Sequence, residues 1–88
     1  MDDADRVCRD LGQRVIELRK ERGWTQQQLA ERMEIDPRDL RRVEAGDNVT
    51  IHMLVKLARS LTVEIAALFV TPRRRDRRRP GRPRRSAT

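Results

Sequence analysis

The sequence predicts an all-α fold, a compact five-helix domain followed by a disordered basic tail. Three observations predict it. Capping residues recur at one fixed spacing from flanking apolar residues, apolar positions follow helical periodicity, and no alternating strand pattern is present. The 88 residues suffice for one small domain.

The first helix is expected from about Asp10 to Arg22, with Leu11, Val15, Leu18 and Arg22 on one side and Gly23 as its C-terminal stop. The next three starts share one signature. Trp24, Thr25 and Leu29 occupy the position before the cap, the cap and the fourth helical position, and Ile35, Asp36, Leu40 and Val49, Thr50, Leu54 repeat the spacing. Each is a capping residue inside a hydrophobic staple. Thr25 and Gln28 also complete a capping box, and Pro37 falls at the first helical position, where its missing N–H is harmless. These helices are placed at 26 to 33, 37 to 45 and 51 to 61, with Gly46 closing the third. Val63, Glu64 and Leu68 show the same spacing with a poor cap, and predict a weaker fifth helix over 65 to 70 that Pro72 stops.

Charge is segregated along the chain. From residue 72 onward nine arginines stand against Asp76, so the tail carries 9 − 1 = +8, while the first 71 residues hold 12 basic and 13 acidic side chains, 12 − 13 = −1. A block of like charge interrupted by Pro80, Gly81 and Pro83 is expected to be disordered when free. The expected organisation is a polar segment over 1–9, a domain over 10–71 and an Arg-rich tail over 72–88. One cysteine, Cys8, and one histidine, His52, leave no disulfide and no usual metal set, and neither a metal nor a cofactor is expected. The acidic N-terminus does not read as a secretory signal, and no apolar run suits a membrane span, so a soluble cytoplasmic protein with no membrane partner is expected.

At about 100° per residue, Leu40, Val43 and Glu44 share the inner side of the third helix, and Arg38, Arg41, Arg42 and Ala45 share the outer side. An inward carboxylate needs a partner. Arg19, four positions after Val15, is the candidate for a charge-assisted pair with Glu44. The outward arginines follow a short helix and a tight turn, the spacing of a helix-turn-helix, whose second helix enters the DNA major groove. An arginine fork there matches the two acceptors of guanine. A merely solvated arginine face is the alternative on charge alone.

Residues 11 to 69 resemble the Xre-like helix-turn-helix family of phage Cro and repressor proteins and bacterial regulators. The resemblance lies in RxxRGWTQxxLA from Arg19, V-E-A-G from Val43 and T-I-x-x-L-x-K-L-A-x-x-L from Thr50. It implies a lambda-repressor-like fold, sequence-specific binding of double-stranded DNA as a homodimer, transcription regulation in a bacterial or phage setting, and no enzymatic activity. By position, Gln26 matches a glutamine that contacts phosphate and braces the recognition helix. Pro37, Arg38 and Arg42 match base-facing positions, Arg41 a backbone-facing flank, and Asn48 a phosphate-touching loop; Arg19 and Glu44 match a buried ion pair. Glu34 and Thr62 stand where the family has glycine, and Pro37 supplies at most an apolar contact. An antitoxin that neutralises a protein toxin is the alternative role.

The tail RRRDRRRPGRPRR has two readings. It is a polycation that neutralises phosphates whatever the sequence, or its Gly81-Arg82-Pro83 core resembles an AT-hook lying in a narrow minor groove. Arg79, Arg82, Arg84 and Arg85 are its candidate DNA contacts. Trp24 and Phe69 are expected to serve as core or staple residues. Ile65, Leu68, Phe69 and Val70 either complete the monomer core or form a dimer contact.

Overall fold

The computed structural model describes residues 2–73. Its first helix, α1 (Asp3–Glu21), starts well before the predicted Asp10, so most of the expected polar segment is helical. Apolar periodicity does not reveal these roughly two extra turns because they are held by polar chemistry. Asp2 caps the helix by accepting the Asp5 N–H at 2.8 Å, and Asp3 and Asp5 place negative charge at the positive end of the helix dipole. The extension also has a packing partner, since Arg9 lies against Gly46 at the end of the third helix.

Helices α2 (Gln26–Met33), α3 (Pro37–Ala45) and α4 (Ile51–Leu61) have the bounds that their caps predict. Thr25 and Gln28 exchange both capping-box hydrogen bonds, at 3.1 and 2.8 Å. Asp36 accepts the Arg38 N–H at 2.8 Å, and Thr50 accepts the Met53 N–H at 3.0 Å. Trp24, Ile35, Val49 and Val63, the residues just before these caps and before Glu64, pack half-buried against the core. The fifth element departs from expectation: Ile65–Phe69 is a 3-10 turn, and Glu64 makes no side-chain cap. Five residues without a cap are too few to offset the cost of nucleating an α-helix. The described architecture is thus four α-helices and one 3-10 turn, with no strand among the described residues.

All four helices end alike. In each, an amide just past the helix end donates back to a carbonyl five positions earlier: Trp24 to Arg19, Ile35 to Ala30, Asp47 to Arg42 and Val63 to Ala58. This closure requires a left-handed residue, and Gly23, Glu34, Gly46 and Thr62 supply it with φ of 73°, 59°, 100° and 58°. Two of the four are therefore non-glycine residues in a region that disfavours a Cβ by about 1–2 kcal/mol.

The core is built from Leu11, Val15 and Leu18 of α1, Leu29, Ala30 and Met33 of α2, Leu40 and Val43 of α3, and Leu54, Leu57, Ala58 and Leu61 of α4. Leu68 closes it from the 3-10 turn, fully buried, whereas Ile65, Phe69 and Val70 remain exposed. Phe69 is thus on the surface, not in the core. Gly12 sets the approach of α1 to α3: a Cβ at this position would lie 2.6 Å from the Val43 carbonyl oxygen and 2.7 Å from that of Glu44. No helix among the described residues is long and apolar enough to cross a membrane.

Candidate nucleic-acid interface

The third helix is held from behind by a buried polar cluster. Arg19 donates Nε–H to Glu44 Oε2 at 2.7 Å and Nη2–H to Oε1 at 3.1 Å, a bidentate pair with side chains only 11% and 4% exposed. The remaining Arg19 nitrogen donates to the Trp24 carbonyl at 2.9 Å. Gln26, at the first position of α2, donates its amide to Glu44 Oε1 at 2.7 Å. One carboxylate therefore ties α1, α2 and α3 together. Desolvating the pair is costly, and the full set of hydrogen bonds is what makes it tolerable.

The opposite face of α3 carries Arg38, Arg41 and Arg42, all exposed. They are not equivalent. Arg38 is folded back on the capping residue, donating Nη2–H to Asp36 Oδ2 at 3.0 Å and Nε–H to Oδ1 at 3.4 Å. Hydrogen bonds from the Arg38 side chain and backbone hold the Asp36 carboxyl below its ordinary pKa, and the same carboxylate raises that of Arg38. Arg42 reaches Asp39 only at 4.0 Å. Arg41 has no ion-pair partner among the described residues. Pro37 is half-buried at the start of the helix.

Gln26 has one amide hydrogen committed to Glu44 and one left, and it sits at the first position of α2, where a helix N-terminus favours an anion. Asn48, in the α3–α4 loop, is exposed and accepts a hydrogen bond from the half-buried Cys8 thiol at 3.6 Å. Arg79, Arg82, Arg84 and Arg85 lie outside the described residues. No group of metal-ligating side chains occurs among the described residues.

Three supporting residues escape a reading of the sequence. Arg22 bridges two helix ends, donating to the Leu18 carbonyl at 2.9 Å and the Leu61 carbonyl at 2.6 Å. Arg14 donates Nε–H to the Ala67 carbonyl at 2.9 Å, fixing the 3-10 turn to α1. Glu17 is a buried carboxylate that accepts from Arg14 at 3.4 Å and from the Arg73 N–H at 2.6 Å. Pro72, just before Arg73, is buried, and Arg73 also pairs with Glu21 at 3.1 Å. The root of the tail is therefore docked on α1. The spacing of Arg14, Glu17 and Glu21 along one helical side was the available signal, but their partners lie more than 50 residues away in sequence.

Two helices joined by a tight turn, the second braced by a buried ion pair and presenting arginines outward, define a helix-turn-helix DNA-binding domain. A family model described as helix-turn-helix matches residues 15–68, and the chain belongs to that family. Among solved structures it is similar to the restriction-modification controller protein C.AhdI from Aeromonas hydrophila, with 36% identity, a TM-score of 0.68, and coverage of 70% of this chain and 96% of that one. It also shares its fold with the hypothetical transcription factor NHTF from Neisseria, at 24% identity and a TM-score of 0.72, covering 90% of this chain and 92% of that one. No curated protein matched the chain. The protein is a DNA-binding transcriptional regulator and not an enzyme.

Proposed function

We propose that the protein is a sequence-specific regulator that binds double-stranded DNA as a homodimer and places α3 in the major groove. The observation that carries this is the two-sided construction of α3, with Glu44 locked inward to Arg19 and Gln26 while three arginines project outward. Arg38 and Arg42 read bases, Arg41 meets the backbone, and Pro37 makes an apolar contact at most. Gln26 and Asn48 touch phosphates on either side of the helix.

The first 71 residues carry a formal charge of −1, so the domain itself exerts little long-range pull on DNA. The tail supplies that pull. Its arginines add phosphate contacts, or minor-groove contacts through Gly81-Arg82-Pro83, and removal after Arg73 lowers affinity on all sequences and flattens the salt dependence. Exposed Ile65, Phe69 and Val70 form the apolar patch for a second copy. The likeness to C.AhdI makes restriction-modification genes the first targets to test. The toxin-neutralising role draws no support from the structural neighbours.

The test is selection of bound duplexes from random DNA, followed by affinity measurements on the selected site. Arg38→Ala and Arg42→Ala should each cost about 1–3 kcal/mol there and relax the preference at one base pair. Arginine variants that discriminate among sequences as the parent does would rule out α3 as the reading helix.

A further inference from the structure

The Arg38 side chain is exposed, yet it is not free. Asp36 Oδ1 caps α3 through the Arg38 N–H at 2.8 Å, and the same carboxylate grips the guanidinium along its Nε edge, at 3.4 Å to Nε and 3.0 Å to Nη2. That grip consumes one edge only. Both Nη1 hydrogens and the second Nη2 hydrogen remain, and the terminal edge they form is a pair of parallel donors, the arrangement that matches O6 and N7 of guanine. The geometry points to Asp36 as a positioning residue for sequence readout: it holds Arg38 side-on so that the terminal edge of the fork meets a guanine. This rests on the major-groove reading of α3.

Two consequences separate this role from simple helix capping. An unheld arginine samples many rotamers and can satisfy itself on a phosphate or on other base edges; a held one offers its fork in one orientation, so Asp36 narrows the choice of base. The carboxylate also faces the DNA and repels phosphates of every sequence, which lowers nonspecific binding. Asp36 thus acts in opposite directions on cognate and random DNA. Arg42, which reaches Asp39 only at 4.0 Å, has no such support, and the preference at its base pair is independent of Asp36.

The experiment uses the full chain and a duplex obtained by selection from random DNA. The guanine assigned to Arg38 is the one whose preference disappears in Arg38→Ala. Binding is then measured to this duplex, to the duplex with that G·C pair replaced by A·T, and to random DNA, for the parent, Asp36→Asn and Asp36→Ser. Asn and Ser both keep an N-cap, and thermal unfolding checks that each variant is folded. The expected result is a preference at that pair reduced by about tenfold in both variants, within what a bidentate arginine–guanine pair discriminates, together with tighter binding to random DNA and unchanged preference at the Arg42 pair. Unchanged preference at the Arg38 pair overturns the positioning role while leaving α3 as the reading helix. An equal loss on all three duplexes reduces Asp36 to a cap and also overturns it. If Arg38→Ala itself changes no preference, the major-groove reading fails first.

Discussion

Removing one partner of the Arg19–Glu44 pair is predicted to cost far more than removing both. Arg19→Met leaves a carboxylate whose side chain is 4% exposed with only the Gln26 amide as a close donor, and Glu44→Leu leaves a guanidinium 11% exposed with only the Trp24 carbonyl. An uncompensated buried charge costs about 3–5 kcal/mol. A domain of about 70 residues has roughly 4–10 kcal/mol of stability in total, so either single variant sits near its unfolding limit at room temperature. The double variant Arg19→Met/Glu44→Leu buries two apolar chains of similar volume in the same place. It should lie within about 2 kcal/mol of the parent, because neither charge remains to be desolvated. Urea unfolding followed by far-ultraviolet circular dichroism measures all four proteins, and the non-additivity between singles and double should be several kcal/mol, beyond the usual range for contacting residues. A double variant that loses the sum of the two single losses would refute the reasoning, since it would mean that Arg19 and Glu44 stabilise the fold independently, through packing.

Gly12→Ala should destabilise the domain by about 1–3 kcal/mol, the range for overpacking, because its Cβ would meet backbone carbonyls of α3 at 2.6 and 2.7 Å; a thermal midpoint equal to the parent's would mean that α1 slides away at no cost. Thr62→Gly should raise the thermal midpoint by several degrees, since relief of about 1 kcal/mol at a left-handed residue is worth about 4–8 °C in a domain of this size. Glu34→Gly should act in the same direction, and a drop in either would show that the side chain contributes more than the backbone strain removes. The Asp36 carboxyl should titrate below an ordinary aspartate in a carbon-detected NMR titration, and Arg38→Ala should bring it back up. With its folded pKa depressed, Asp36 contributes its stabilisation above the unfolded pKa and loses it as pH falls through the folded value; a carboxyl unmoved by Arg38→Ala would contradict the fork seen here.

Helix starts were legible because they are local. Thr25, Asp36 and Thr50 each bind an amide two or three residues on, so the partner is written beside the cap, and the inward position of Glu44 follows from periodicity within one helix. What escaped reading depends on distance or on backbone. The α1 extension lacks apolar periodicity, and it is stabilised by an aspartate cap and by contact with a loop some 37 residues later. Gly12 carries no side chain to interpret, and its significance lies in which carbonyls cross it. Glu17 is a buried carboxylate with nothing local to mark it so, since the Arg73 amide it accepts from lies 56 residues away. The three arginines of α3 were separable in direction but not in freedom, because the Asp36–Arg38 fork needs a particular rotamer at each residue.

The docking of Pro72 and Arg73 on α1 gives the basic tail a fixed origin. Measured from that origin, Arg85 is twelve residues away, and a fully extended chain of that length spans at most about 43 Å. One turn of duplex is about 34 Å. If the tail meets DNA as proposed, its reach is little longer than a helical turn, and base composition beyond that radius of the α1 flank should have no influence on how tightly an operator is held.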